Sequence, residues 1–217
     1  MTLLGLSIAK LGLFAFAVLL LALTPGPVWV YLLSRTLAQG RRAGYFSLFG
    51  VAAGVFMHLF LAAFGLSALL LAIPAAFDAI KLAGAAYLLW LAWSTVRGNG
   101  ISFEAQPLPP APDRVLFRQA MVAAAVNPKV AVFYLSLFPQ FVDPAAGSVL
   151  AQSLVLGVVH ITVGTLVDGA LVTLAGFLSA WFATRPLWLR TQRWFLGTAF
   201  GALAVWLALT PRHAVTS

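Results

Sequence analysis

The chain of 217 residues contains no cysteine, only five acidic residues, and charged residues at just 8% of its positions. Without thiols it can form no disulfide, no thiolate metal site and no cysteine nucleophile. Soluble domains carry about 25% charge, so a chain this poor in charge cannot cover itself with a solvated surface. What it has instead is 62% hydrophobic residues and a mean hydropathy of +1.00, the composition of an integral membrane protein. A formal net charge of +8 on a soluble protein would suggest nucleic acid. Here the basic residues stand singly or in small groups at the ends of apolar runs, where they set topology, and no nucleic-acid partner is expected.

Crossing roughly 30 Å of hydrocarbon takes about 20 residues of helix. Six runs qualify, at 7–33, 44–69, 75–96, 117–140, 148–178 and 188–210. The first has only Lys10 as a basic flank and no small-x-small cleavage signal before Thr24-Pro25, so it reads as a span of the mature chain and not as a secretory signal. The connections after spans one, three and five hold Arg35, Arg41, Arg42, Arg97, Arg114, Arg118, Arg185, Arg190 and Arg193, nine of the thirteen Lys and Arg residues. The positive-inside rule then puts both termini on the non-cytoplasmic face.

Residues 98–116 are rich in proline and contain Glu104 and Asp113, the signature of a cytoplasmic linker between residues 1–97 and 117–217. The two parts resemble each other at a shift of 103, which aligns Thr24-Pro25 with Asn127-Pro128, Tyr31 with Tyr134 and Gly54 with Gly157. His58 and His160 correspond one residue out of step, and the third spans pair Tyr87 with Phe200 and Trp93 with Trp206. Because three spans is an odd number, the second copy enters from the opposite side. The expected fold is an all-α membrane protein of six spans in two inverted three-helix repeats, with spans one and four discontinuous.

Pro25, Pro27 and Pro128 lack N–H donors and crowd the carbonyls of Leu21, Leu23 and Ala124. Broken backbone in hydrocarbon survives only against protein or a wet cavity, so the breaks at "TPGP" and "NPK" mark the candidate site. The alternative is a pair of kinks that merely shapes the bundle. A broken helix offers N–H groups and carbonyls of opposite partial charge, suited to a zwitterionic solute. Lys129 lies about twelve residues from either end of its span, where a charge costs at least about 2.5–3.5 kcal/mol. Asp168 is the carboxylate placed well inside a span, and so is the expected partner of Lys129, whether static or exchanged during transport. His58, His160 and Asp168 are the candidate proton sites. Their spacing has no metal-ligand signature, and neither metal nor cofactor is expected. The small-residue run "GVAAG" from Gly50 to Gly54 permits close helix approach.

"TPGP" from Thr24, "GRRAG" from Gly40 followed by "GVAAGVFMH", "KLAGAAYLLWLAW" from Lys81 and "NPKVAVFYLSLFPQFV" from Asn127 resemble the LysE/RhtB family of amino-acid exporters, in the family's order along the chain. The resemblance implies a six-helix bacterial inner-membrane carrier that moves amino acids or their derivatives outward, driven by protons. It implies substrate contacts at Pro25, Gly26, Pro27, Asn127, Pro128 and Lys129. Alternating access is expected from the repeats, which would rock about a midplane site formed by the two breaks. Family members commonly follow TPGP with a polar residue where this chain has Val28, a change toward a more apolar cargo. A channel or ion transporter on the same inverted repeat is the competing class, although no ring of charges or carbonyl filter motif is present. Homo-oligomerisation is left open.

Overall fold

The computed structural model describes residues 2–3, 5–72 and 109–177, together with scattered helical positions within 82–97 and 191–209. Most of spans three and six, residues 98–108 of the linker and the C-terminal end lie outside the described residues, as do Tyr87, Glu104, Arg185, Arg190, Arg193, Phe200 and Trp206. The described secondary structure is helical apart from a hairpin of two antiparallel two-residue strands, β1 (Thr2–Leu3) and β2 (Leu6–Ser7), that places Leu6 in the core.

Helix α1 (Ile8–Leu23) starts where the Ser7 hydroxyl accepts the Lys10 N–H. Its 16 residues reach about 24 Å, short of the hydrocarbon thickness, so α1 alone cannot complete a crossing. The chain resumes as a helical segment, Pro27–Ala72, that folds back on itself at Gly40. At φ 85° and ψ 172° this position suits only a residue without Cβ. Two arms result, α2 (27–39) and α3 (41–72). They pack antiparallel: Gly44 sits against Thr36, and Leu32 and Val28 join Leu48 and Val51 in one apolar cluster.

Helix α4 (Asp113–Ala125) begins four residues before the expected span. Pro112, fixed in extended geometry, enters the helix without an N–H to lose, and Asp113 meets the positive end of the helix dipole. The chain breaks at Val126-Asn127 and continues as α5 (Pro128–Val132), a π-helical turn (Phe133–Leu137) and a 3-10 turn (Phe138–Phe141), bent by 46° from α4. A pair of hydrogen bonds from the Asp143 N–H to Gln152 Oε1 (2.9 Å) and from Gln152 Nε2 to the Asp143 carbonyl (2.8 Å) pins the following loop to α6 (Val149–Thr173).

Two apolar clusters hold these helices together. At one end Phe14 of α1 meets the rings of Phe133, Phe138 and Phe141 at centroid distances of 5.8, 5.9 and 5.0 Å. At the other, Val28, Trp29 and Leu32 pack on Leu48, Val51, Ala120, Ala124, Leu171 and Val172. Gly54 lets α3 approach α4 so closely that a Cβ there would lie 2.5 Å from the Met121 carbonyl oxygen, the contact geometry small residues provide in membranes. The outward faces carry exposed Phe56, Phe60, Val158 and Leu166. Water would penalise such a surface, and lipid does not.

Among the described residues, the arginine-bearing connections after spans one and three meet at one end. Arg35 is buried at 6% exposure; its Nη1 donates to Gln39 Oε1 (3.1 Å) and the Pro109 carbonyl (2.9 Å), and its Nη2 to Gln119 Oε1 (3.0 Å). Gln39 also donates to the Ala111 carbonyl, and Arg42 pairs with Asp113 at 2.8 Å.

Candidate functional site

Both helix breaks follow from local chemistry. At the first, Thr24 ends α1: its N–H and hydroxyl both reach the Leu20 carbonyl, at 3.1 and 2.7 Å. Pro25 brings no N–H, so the Leu21 carbonyl loses its regular partner. Gly26 opens α2 by accepting the Val30 N–H at 3.1 Å, with Pro27 as first helical residue. At the second, Asn127 caps α5 by accepting the Lys129 N–H at 3.0 Å, and Pro128 stands where its missing donor costs nothing.

The breaks are joined by one side chain. Lys129 Nζ donates to the Leu21 carbonyl at 2.9 Å and to the Thr24 carbonyl at 2.8 Å. The carbonyl freed by Pro25 is thus satisfied by the lysine that follows Pro128, and the positive charge rests on the negative end of the α1 dipole. This corrects the expected direct pairing of Lys129 with Asp168. Among the described residues the one direct ion pair is Arg42–Asp113, whereas Asp168 acts on Lys129 only through space. The physical reason is that two backbone carbonyls, preorganised by a proline, already meet the ammonium.

Between the two apolar clusters lies a cavity of about 60 Å³, room for roughly four to six water-sized groups. One wall, from α2 and α3, is apolar: Val28, Leu48, Val51, Ala52 and Val55. The other carries Asn127 and Lys129 from the second break, and His160, Thr165 and Asp168 from α6. Trp29 also lines it, with its indole N–H buried and without an acceptor. Of the residues expected at the site, Asn127, Lys129, His160 and Asp168 line this cavity. Pro25, Gly26, Pro27 and Pro128 shape the breaks beside it, with Gly26 packed against the Lys129 ammonium.

His58 lies outside the lining; its Nε2 is 3.2 Å from the Ala124 carbonyl oxygen. It joins an aromatic column: the Tyr134 ring is nearly parallel to His58 (5.9 Å, 11°) and to His160 (5.1 Å, 5°). The Tyr134 hydroxyl and His160 Nδ1 are both buried without partners. Tyr134, Trp29 and Thr165 escaped sequence reasoning as site residues. Tyr134 did carry a signal, its repeat relation to Tyr31, but the π-helical turn that aims it has none.

Residues 19–210 match the family model described as LysE type translocator. The chain belongs to that family. It is 34% identical over 196 residues to a homoserine/homoserine lactone efflux protein of Salmonella typhi, covering 90% of this chain and 93% of that one. It is 27% identical over 192 residues to a leucine efflux protein of an Enterobacter species, covering 87% and 90% respectively. No solved structure matches the chain. As a LysE type translocator it is related to efflux proteins for amino acids, and its apolar helices fit a membrane protein.

Proposed function

We propose that the protein is a secondary transporter that exports an amino acid or a close derivative across the bacterial inner membrane by alternating access, coupled to protons. Support comes from family membership, from relatives named for homoserine and leucine efflux, and above all from Lys129 of the second break seated on the carbonyls of the first beside a cavity. In this reading the chain forms six spans in two inverted repeats, with both termini periplasmic. The repeats rock about the two breaks, and the Lys129 contacts form in one state and loosen in the other. Asp168, His58 and His160 are the residues available to carry protons, because Asp168 and His160 line the cavity and His58 stacks on Tyr134 beside it.

The test is counterflow of labelled homoserine and leucine in proteoliposomes, with and without an imposed pH gradient. Saturable exchange that a gradient accelerates is expected. Unsaturable conductance would refute the reading in favour of a channel.

A further inference from the structure

Asp168 is a carboxylate 9% exposed on α6, lining the cavity, and among the described residues it belongs to no direct ion pair. Its neighbour is the Trp29 indole N–H, which stops short of hydrogen-bond geometry. A buried carboxylate with so little compensation is costly unless a cation or a set of donors completes its shell. Across the cavity, Lys129 has three N–H donors and commits two of them to the Leu21 and Thr24 carbonyls. One donor is left over. The cavity therefore holds one under-compensated anionic acceptor and one spare cationic donor, with the two kept from direct contact, and an aliphatic wall beside them.

We infer that Asp168 receives the substrate's ammonium, that the third N–H of Lys129 receives its carboxylate, and that Val28, Leu48, Val51 and Val55 contact its side chain. The inference rests on the amino-acid reading above and deepens it by fixing the orientation of the cargo. The zwitterion bridges two side chains that cannot bridge each other, since Lys129 is held back by the broken α1. A short neutral side chain then meets Val28, Leu48, Val51 and Val55, none of which carries a hydrogen-bonding group. A cationic or anionic side chain would have to be desolvated there unpaired, at a cost that excludes it. Val28 stands at the head of α2, so its replacement by Asn would put an amide on that wall.

The experiment is a binding cycle on the full-length protein in detergent, measured calorimetrically with valine, N-acetylvaline, homoserine and lysine. Wild type should bind valine at least about tenfold more tightly than N-acetylvaline or lysine, the scale of one charge-assisted hydrogen bond. In Asp168→Asn, valine binding should fall by a similar factor and the penalty for N-acetylation should vanish, because the group that read the ammonium is gone. An undiminished N-acetyl penalty in that variant would overturn the assignment while leaving amino-acid export intact. If Asp168→Asn does not yield a monodisperse protein, Val28→Asn carries the test. It should shift the valine-to-homoserine affinity ratio toward homoserine by about tenfold, and an unchanged ratio would overturn the orientation. Failure of every amino acid to exchange in proteoliposomes would instead refute the transport reading.

Discussion

The imidazole of His160 lies 5.1 Å from the Tyr134 ring and within 5° of parallel to it, so α6 and the π-helical turn of the second broken span meet through stacked faces and not through a hydrogen bond. π-turns are rare and gather at functional sites. Here the turn brings the phenol between elements that carry the two histidines, yet leaves its hydroxyl unmatched.

Tyr134→Phe should therefore be harmless to stability. Removing an unpaired buried hydroxyl relieves a penalty of about 1–3 kcal/mol and keeps the ring contacts, so thermal unfolding in detergent should occur at an unchanged or higher temperature. A lower melting temperature would mean that the hydroxyl is paired. If transport falls while stability holds, the hydroxyl has a role beyond packing.

Lys129→Met should be the most damaging single change at the breaks. It removes both charge-assisted bonds to the Leu21 and Thr24 carbonyls and leaves Leu21 only the Thr24 N–H at 3.3 Å, at an expected cost of about 2–3 kcal/mol, visible as a lower melting temperature as well as lost counterflow. Lys129→Arg should recover much of the stability but not the transport, because the longer planar guanidinium occupies the cavity.

Two glycines of α3 make a matched pair. At Gly54 an added Cβ meets the Met121 carbonyl and Ala124, while at Gly65 it meets nothing within 4 Å. Gly54→Ala should cost about 1–3 kcal/mol through overpacking, whereas Gly65→Ala should be neutral or stabilising by up to about 1 kcal/mol from helix propensity. Equal melting temperatures for the two variants would contradict the close approach of α3 to α4.

At the arginine-rich end, burial decides between two arginines. Arg35 is 6% exposed and reaches residues 109 and 119; Arg35→Ala should lower stability by about 2–3 kcal/mol by orphaning buried partners. The side chain of Arg42 is 80% exposed in its pair with Asp113, and Arg42→Ala should change stability by less than about 1 kcal/mol, an effect that added salt erases. Denaturant titration of both variants checks the order.

The breaks were readable in the sequence because proline removes a specific donor and frees a specific carbonyl. Lys129 was readable as an expense for the same kind of reason. Its partner was not: a search among carboxylates leads to Asp168, while the actual acceptors are backbone carbonyls, which every residue possesses and no composition reveals. Gly40 appeared only as part of a basic connection, although its positive φ is what folds α2 onto α3. The π-turn at Phe133–Leu137 has no sequence signature, so Tyr134 was legible as a repeat-related residue and not as a site residue. Val28 was noticed as a departure from relatives, and the structure gives that departure a place on the apolar wall of the cavity.

The bonds from Lys129 to Leu21 and Thr24 span 108 and 105 positions of sequence, which has a consequence for biogenesis. When the first broken span leaves the ribosome, the Leu21 carbonyl has only the Thr24 N–H at 3.3 Å, and the lysine that completes it and the Thr24 carbonyl has not yet been synthesised. A lone first half released into lipid would carry an incompletely satisfied backbone break into hydrocarbon. The first hairpin should therefore linger beside the insertion machinery until the second broken span arrives, and a chain truncated before Asn127 should be recognised and degraded as an unfinished membrane protein.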